Sequence, residues 1–549
     1  MGVATVGVVH ASVKRHFGAA AGLLAGLVMA LTPVAVLMFR FNNPEALLVL
    51  LMALGAWATM RSIEQGSAKW FTVVGVLVGL GFLTKALQVL LVVPAFGLAY
   101  LLFANTTLRR RITGALVGTA AMVLSAGWWV AIVELLPASM RPYIGGSQDN
   151  SFLSVTFGYN GLGRINGDET GSVGGGNGWG STGLTRMFSS AVGGQVSWLI
   201  PSALILLAVG LFLRGRAPRT DLRRAAYVVW GGWLLVTGLT FSLTAGIFHE
   251  YYTVALAPAV ATLVGMGAQE AWERRERAVG SITLAAATAA AATWAFVLLT
   301  RVDWLPWLRV AVLALGLASA FLLLAITQLG RRWVPAVVAG ALVSALAGPA
   351  AYSAATISSA HTGSIVTAGP ATAGGGPGRV PGGARPAIPG AVGGPAGQAP
   401  GGQAPVGQAP GGAMGGLLDA STPSTEVVSA LSVNASDYRW VAAAIGSQNA
   451  AGLQLATGLP VMAIGGFNGS DPSPTLAQFQ SYVAAGQVHY YFAASSGRGG
   501  GPGGAAGGSA ITSWVQQNFA AVDIGGSTFY DLTQPTGSAA SASQATQAT

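Results

Sequence analysis

Long apolar segments recur through the first 353 residues of this 549-residue chain, and they constrain its fold more than any other feature. Most are about as long as the ~20 residues that an α-helix needs to cross a bilayer. The chain is 52% hydrophobic and only 8% charged, unlike a soluble protein. We therefore predict an integral membrane protein with spans at 18–38, 44–61, 70–104, 112–135, 195–213, 225–245, 250–268, 278–299, 306–328 and 333–353.

Basic residues collect in alternate loops between these spans. Because cytoplasmic loops carry the excess of Lys and Arg, these loops are predicted to be cytoplasmic. The alternation requires 70–104 to cross twice, which makes eleven crossings. Most of the Lys and Arg residues behind the net charge of +10 then lie in cytoplasmic loops, so we predict no nucleic-acid partner. The basic loops contain Lys14 and Arg15, Arg61 and Lys69, Arg109–Arg111, Arg214–Arg224, Arg274–Arg277, and Arg331 and Arg332.

Lys85 interrupts the apolar segment 70–104, which contains no acidic residue. The predicted topology places it at an extracytoplasmic turn. An unpaired ammonium in an apolar environment costs several kcal/mol, so Lys85 is expected to face a cavity, extend to the membrane surface or meet an anion. A lipid phosphate would be a suitable anion.

Other polar groups share the predicted outer face and form a candidate site with Lys85. Several of them also have a plain structural explanation. Glu45 follows Pro44 and suits a helix N-terminus, and Asp149 could cap a loop. The adjacent tyrosines suit a membrane interface, and a lone histidine is commonly structural. The group contains Arg40, Asn43, Glu45, Arg141, Asp149, Asn150, His249, Glu250, Tyr251 and Tyr252.

A change in composition separates a second domain from the membrane part. Residues 362–418 are dominated by Gly, Pro, Ala and Gln, which is typical of a flexible tether. Apolar periodicity then returns and predicts a small extracytoplasmic α/β domain with a Gly-rich insert at 497–508. Its predicted strands are Tyr438–Ala444, Pro460–Ile464, Val488–Ala494 and Ala520–Tyr530, with helices at 446–457, 474–485 and 511–519.

The predicted organisation is a transmembrane domain at 1–355, a linker at 356–423, the α/β domain at 424–535 and a disordered tail at 536–549. Residues 1–13 are apolar but too short to span a bilayer, and positive charges follow them instead of preceding them. We expect the chain to begin partway through a transmembrane helix.

The chemistry of the outer face is constrained by what the sequence lacks. There is no cysteine, which excludes disulfides, thiolate metal sites and cysteine nucleophiles. Asp149, Asp168 and Glu250 carry oxygen ligands suited to a divalent cation, but their spacing is not compact. We predict no specific metal site, and the sequence leaves cofactor use open.

Five motifs give the chain a recognisable resemblance over about residues 10–355. It resembles the bacterial mannosyltransferases of glycosyltransferase family 39, which are related to aminoarabinose transferases and protein O-mannosyltransferases. The C-terminal domain is similar to that of the same bacterial group. The motifs are FRFNNPEALL at 39–48, GLGFLTK at 79–85, RPYIGGSQDN at 141–150, FGYNGLGR at 157–164 and HEYYTVALAP at 249–258.

This resemblance implies a GT-C fold, mainly α and polytopic, that takes sugar from a polyprenyl-phosphate donor outside the cytoplasm. It places Lys85 near the donor phosphate, and we expect Arg40 and Arg141 to help. Glu45 matches an acidic motif of the second loop, where Asn43 replaces the usual Asp. We group Glu45, Asn43 and Asp149 as catalytic candidates. His249, Glu250, Tyr251, Tyr252 and Asn150 are expected to line the lipid or sugar cavity.

The predicted function is transfer of a sugar, mannose by the family's name, to a glycan, lipid or protein acceptor of the cell envelope. The family's catalytic carboxylate follows the first transmembrane helix, so the short N-terminus also predicts a truncated chain. Two alternatives stay open from the sequence. One is a multi-helix transporter or lipid flippase. The other is an inactive membrane anchor for the outer domain.

Overall fold

The computed structural model describes residues 1–167, 181–361, 363, 365–370, 420, 422–467, 469–493 and 506–536. They form two compact units, a helical unit in the first 370 residues and an α/β unit after residue 420. The mainly helical fold with a small C-terminal sheet confirms the predicted fold class.

Sixteen helices of the described residues build the first unit. Nine helical stretches there are long and apolar enough to cross a membrane. The helices are α1 Gly2–Phe17, α2 Ala19–Leu31, α3 Pro33–Met38, α4 Glu45–Gln65, α5 Ala68–Lys85, α6 Val93–Phe103, α7 Leu108–Leu135, α8 Phe152–Phe157, α9 Gly163–Asn166, α10 Gly193–Val196, α11 Ile200–Arg214, α12 Leu222–Leu243, α13 Ala257–Trp272, α14 Ala278–Thr300, α15 Pro306–Leu324 and α16 Val334–Ser358.

The segment 68–103 reverses direction after Lys85. The 3-10 helix Ala86–Val92 follows the turn, and α6 then runs back beside α5. The rings of Phe71 and Tyr100 stack at 4.1 Å between centroids. The N–H of Asn105 donates to the carbonyl of Ile63 at 3.1 Å, so the end of α6 lies beside the start of α5. The chain therefore reverses within this segment, as a double crossing of 70–104 requires.

The predicted single span at 18–38 was wrong in detail. It is divided into α2 and α3, because Pro33 opens α3 and cannot donate a backbone hydrogen bond that would continue α2. At its other end, α2 folds back on α1 through Gly18, whose φ of 91° lies in the region that favours glycine. The other predicted single spans each coincide with one α-helix, except two. The span 195–213 combines α10, a 3-10 turn and α11, and 250–268 begins in the 3-10 helix Glu250–Leu256 before α13.

Several of the basic loops contact one another in the helical unit. Arg15 from α1 binds Glu64 from α4 with two hydrogen bonds, at 2.9 and 3.0 Å. Glu270 of α13 is only 1% exposed and forms ion pairs with Arg214, Arg223 and Arg274. Ion pairs and a hydrogen bond from Arg223 to the carbonyl of His16 thus join four of the loops that were predicted to share one side of the membrane, those that contain Arg15, Arg61, Arg214–Arg224 and Arg274.

The second unit is a five-stranded sheet with the order β2-β1-β3-β5-β4. β1 is parallel to β2 and β3, and β5 is antiparallel to β3 and β4. The strands are β1 Trp440–Ile445, β2 Val461–Ile464, β3 Val488–Phe492, β4 Phe519–Ile524 and β5 Ser527–Pro535, and the helices are α17 Thr425–Ser432, α18 Ser447–Thr457, α19 Leu476–Ala484 and α20 Ala506–Asn518.

Two features of this unit differ from the prediction. The predicted strand Ala520–Tyr530 is wrong, because the chain turns at Gly525 and Gly526 and forms the hairpin of β4 and β5. Both glycines have positive φ, as tight hairpin turns require. The helix α17 was not predicted, although Ser424 caps it by accepting from the N–H of Val427.

The helical unit continues past the predicted boundary at 355. α16 ends at Ser358, and the side-chain amide of Gln195 exchanges two hydrogen bonds with the backbone of Ala368, at 2.8 and 3.0 Å. The glycine-rich part of the 136–194 loop, most of the 356–423 linker, most of the 497–508 insert and the tail from 537 lie outside the described residues. The predictions made for them stand untested.

Candidate active site

Lys85 and Glu45 form the centre of the candidate site. Glu45 begins α4, where its N–H donates to Asn43 Oδ1 at 3.1 Å. Lys85 ends α5, and its Nζ donates to Glu45 Oε1. The Glu45 side chain is fully buried and that of Lys85 is 22% exposed. Of the alternatives left open for Lys85, the structure supports an anion, and Glu45 supplies it.

Two tyrosines enclose the ammonium of Lys85. Tyr251 and Tyr252 lie on the 3-10 helix Glu250–Leu256, which leads into α13. The Lys85 Nζ is 3.9 Å from the centre of the Tyr252 ring and 5.4 Å from that of Tyr251. These distances are within the range of cation–π attraction, so both rings stabilise the buried charge.

Arg164 is a second cation at this site that the sequence analysis did not select. Its Nη1 donates to the Tyr252 hydroxyl at 2.6 Å, and its Nη2 donates to Asn160 Oδ1 at 2.9 Å. The preceding turn, Gly158–Leu162, is π-helical, a rare form that is frequent at functional sites. The FGYNGLGR motif at 157–164 was the signal that could have identified Arg164.

Backbone hydrogen bonds hold the Arg164 segment against the segment that precedes His249. The N–H of Gly246 donates to the carbonyl of Arg164 at 2.8 Å, and that of Ala245 donates to Ile165 at 3.0 Å. The long loop after α7 therefore contributes an ordered part, α8 through α9, to the site. Arg164 reaches Tyr252 from this part.

His249 packs against both tyrosines. Its ring is nearly parallel to that of Tyr251, with centroids 5.4 Å apart, and lies edge-on to Tyr252 at 5.2 Å. Burial, together with the charges of Arg164 and Lys85, lowers the pKa of His249 to about 3. The imidazole is therefore neutral at physiological pH and contributes its ring without a third positive charge.

Arg186 was also missed by the sequence analysis. It is only 4% exposed and lies near the end of α12. Its Nη1 donates to the carbonyls of Thr244 and Phe241, at 2.6 and 3.3 Å, and its guanidinium lies 4.5 Å from the centre of the Phe248 ring. Arg186 thus fixes the segment that leads to His249.

Four predicted site residues make their described hydrogen bonds away from Lys85, Glu45 and the two tyrosines. Asp149 accepts from the N–H of Ser151 and the hydroxyl of Ser154, at 3.2 and 2.6 Å, which is the loop-capping role considered above. The bond from Ser154 is the main reason why its pKa is lowered. The others are Arg40, Arg141 and Asn150.

Arg141 and Asn150 organise their own loop. Arg141 donates to the carbonyls of Val133 and Asn150 and lies 3.8 Å from Glu134. Asn150 Oδ1 accepts from the N–H of Ile144 at 2.8 Å. Arg40 lies elsewhere, with its Nη1 3.4 Å from the carbonyl of Ile357. Glu250 begins the 3-10 helix that carries the tyrosines.

No group of three or more His, Asp or Glu side chains that could hold a metal ion occurs within the described ranges. Asp168, one of the three oxygen ligands considered above, lies outside them. The described part of the site therefore offers cations, aromatic rings and one buried carboxylate, a set suited to an anionic ligand.

Comparisons with known proteins relate both units to sugar transferases. Residues 1–130 match the family model "Dolichyl-phosphate-mannose-protein mannosyltransferase". Residues 427–518 match "Putative mannosyltransferase YkcB-like, C-terminal".

Two proteins of Bacillus subtilis (strain 168) are similar along most of their length. "Putative mannosyltransferase YkcB" is 28% identical over 94% of this chain and 79% of its own. "Putative mannosyltransferase YycA" is 26% identical over 94% of this chain and 81% of its own.

Among solved structures, ArnT from Cupriavidus metallidurans bound to undecaprenyl phosphate is similar with a TM-score of 0.40 and 20% identity. That match covers 64% of this chain and 60% of the ArnT chain. Both family models and both Bacillus subtilis relatives are named for mannosyltransferases, so the chain is similar in both of its units to bacterial mannosyltransferases, which with its polytopic helical unit supports a membrane glycosyltransferase.

Proposed function

We propose that this protein transfers a sugar, mannose by the name of its relatives, from a polyprenyl-phosphate donor to an acceptor outside the cytoplasm. The main support is the placement of two cationic side chains around one tyrosine. Lys85 and Arg164 approach the same side chain, Tyr252, beside the fully buried Glu45. The similarity to proteins named as mannosyltransferases supports the reaction class.

The charges of this cluster favour a phosphate. Lys85 and Arg164 supply two positive charges, whereas Glu45 supplies one negative charge, so the cluster retains a surplus of positive charge at neutral pH. A lysine ammonium acts as a point charge toward phosphate, and an arginine adds a planar pair of donors. We assign the donor's phosphate to Lys85 and Arg164, with the rings of His249 and Tyr251 beside its prenyl chain.

The position of the cluster supports an extracytoplasmic site. Lys85 lies at the turn between α5 and α6, whereas the opposite ends of these helices lie beside the basic loops. Because basic loops face the cytoplasm, the turn is assigned to the outer surface. An acceptor of the cell envelope would meet the donor there.

The proposed reaction is a single displacement. The acceptor hydroxyl oxygen attacks the anomeric carbon, and the bond from that carbon to the phosphate oxygen breaks with its electron pair on the phosphate. The acceptor's proton passes to Glu45 Oε2, which has no hydrogen-bond partner among the described residues. Lys85 and Arg164 stabilise the charge that grows on the departing phosphate.

The test is transfer of labelled mannose from polyprenyl-phosphate mannose in membranes that contain the full chain. Lys85→Ala is expected to lower the rate about a hundredfold or more, the typical cost of removing one preorganised charge-stabilising group. Lys69→Ala changes the same residue type at the other end of α5 and should keep the normal rate. Normal turnover by Lys85→Ala would overturn the proposal, and sugar uptake into vesicles without covalent transfer would favour a transporter.

A further inference from the structure

A separate cavity of about 170 Å³ lies between the ends of α3 and α16. One wall carries Val36, Leu37 and Arg40, and the other carries Thr356 and His361. Neither Lys85, Arg164 nor Tyr252 lines it. The cavity is therefore distinct from the site assigned to the donor phosphate, and its ligand has to be considered independently.

Two nitrogen-rich side chains, Arg40 and His361, line this cavity, and none of its described lining residues is a carboxylate. The exposed Arg40 makes one long hydrogen bond within the described residues, 3.4 Å from Nη1 to the carbonyl of Ile357. A guanidinium has five N–H donors, so Arg40 retains most of its capacity for a ligand. His361 Nε2 lies 2.9 Å from the carbonyl of Thr356. The polar side of the cavity suits an anion.

The wall formed by the end of α16 is held in place. Thr356 is 1% exposed, and its hydroxyl donates to the carbonyl of Tyr352 at 2.8 Å and accepts from the N–H of Gly369 at 2.9 Å. The hydrogen bonds between Gln195 and Ala368 fix the same returning segment. A ligand would therefore meet a largely preformed surface, which lowers the entropic cost of binding.

The other side of the cavity is apolar. Val36, Leu37 and Phe41 line it, and the neighbouring Ile357 is 53% exposed where lipid would surround α16. The volume is below the roughly 300–1,000 Å³ of pockets that enclose a drug-sized ligand. The cavity suits one charged group and the first carbons of an apolar chain, which together are the polar end of a lipid.

We propose that this cavity is a phosphate site for an anionic membrane lipid, distinct from the donor site. Arg40 binds two phosphate oxygens through its planar pair of donors, and His361 lies beside them. The apolar wall of Val36, Leu37 and Phe41 contacts the first carbons of the lipid. The proposal assigns Arg40 to this site and not to the donor phosphate.

The test measures binding to the full chain purified in detergent, by native mass spectrometry and by titration. The probes are phosphatidylglycerol, phosphatidylcholine and inorganic phosphate. The wild-type protein is expected to prefer phosphatidylglycerol to phosphatidylcholine about tenfold, and Arg40→Gln should lower phosphatidylglycerol affinity about tenfold, as for loss of a charged hydrogen bond. Arg309→Gln changes an arginine outside the cavity and should have no effect.

Further variants distinguish the cavity from other lipid contacts. Val36→Trp should block the cavity without changing its charge and should lower phosphatidylglycerol binding as Arg40→Gln does. If inorganic phosphate displaces the lipid from the wild-type protein, the phosphate alone is recognised, whereas its failure to compete identifies the lipid as the ligand. Equal phosphatidylglycerol binding by wild type and Arg40→Gln, or an equal loss in Arg309→Gln, would overturn the proposal.

The two sites are separable by one more measurement. Lys85→Ala should lose polyprenyl-phosphate binding and keep phosphatidylglycerol binding, whereas Arg40→Gln should show the reverse pattern. If Lys85→Ala also releases phosphatidylglycerol, the protein has a single lipid site and the proposal of a second site is wrong. Only the binding of polyprenyl phosphate tests the assignment of Lys85 to the donor site, so the two proposals can fail separately.

Discussion

The ion pair of Lys85 and Glu45 is expected to have a large effect on stability when only one partner is changed. Removing one partner of a buried pair leaves the other charge uncompensated, which costs roughly 3–5 kcal/mol. Glu45 is fully buried and the Lys85 side chain is mostly buried, so this cost applies here.

The pair is therefore expected to behave non-additively. Glu45→Gln should lower the free energy of unfolding by about 3 kcal/mol, whereas adding Lys85→Met should restore part of that loss because no unpaired charge remains. Thermal unfolding in detergent of the wild type, both single variants and the double variant measures the coupling. Simple additivity of the two single effects would show that the ion pair contributes little.

His249 gives the site a predictable response to pH. Its pKa of about 3 in the folded protein lies below the ~6.5 of an unfolded histidine. Between these values the unfolded chain binds a proton that the folded protein does not, so stability is lost as pH falls from about 6.5 toward 3. His249→Asn should make the unfolding temperature fall less steeply over this window and leave its slope unchanged above pH 7. Parallel curves for the two proteins would contradict the assigned pKa.

At the scale of elements, the position of Lys85 depends on close packing of α5 against α7. A Cβ added to Gly79 would lie 1.8 Å from Ser125 Oγ and 2.7 Å from the carbonyl oxygen of Met122. Small residues let membrane helices approach closely in this way. Since Lys85 lies six residues after Gly79 on the same helix, forcing the helices apart would move its ammonium.

Gly79→Val is therefore expected to lower sugar transfer at least tenfold, since overpacking of a tight interface costs about 1–3 kcal/mol. Gly97 in α6 is the matched control, because a Cβ there would have no heavy atom within 4 Å. Gly97→Val should transfer sugar at the normal rate. Equal activity of the two variants in membranes, at equal protein level, would show that the α5–α7 contact does not position Lys85.

Most helices of the helical unit could be predicted from the apolar segments of the sequence. The reversal within 68–103 could be predicted from the alternation of basic loops. The partner of Lys85 did not follow, because Glu45 lies 40 residues earlier and only tertiary packing joins the two. Arg164 was inside a quoted motif, but its bond to Tyr252 spans 88 residues. In the α/β unit, the pair Gly525 and Gly526 indicates a turn. The prediction of one strand over Ala520–Tyr530 did not use that signal.

At the scale of the whole molecule, the proposed orientation is open to direct chemical labelling. The natural chain has no cysteine, so a single introduced cysteine is a unique label. Asp303→Cys, between α14 and α15, should react with a membrane-impermeant maleimide in intact cells. Arg110→Cys, at the start of α7, should react only after permeabilisation. The opposite pattern would place the candidate site on the cytoplasmic face and contradict the proposed function.

Equilibrium binding of a polyprenyl phosphate to the purified full chain measures whether Lys85 and Arg164 together bind the donor's phosphate. Lys85→Met and Arg164→Gln should each weaken binding at least about tenfold, because each removes a charged contact to the phosphate. Lys69→Met, on the same helix as Lys85, should bind as the wild type does. Unchanged affinity in Lys85→Met would contradict the account.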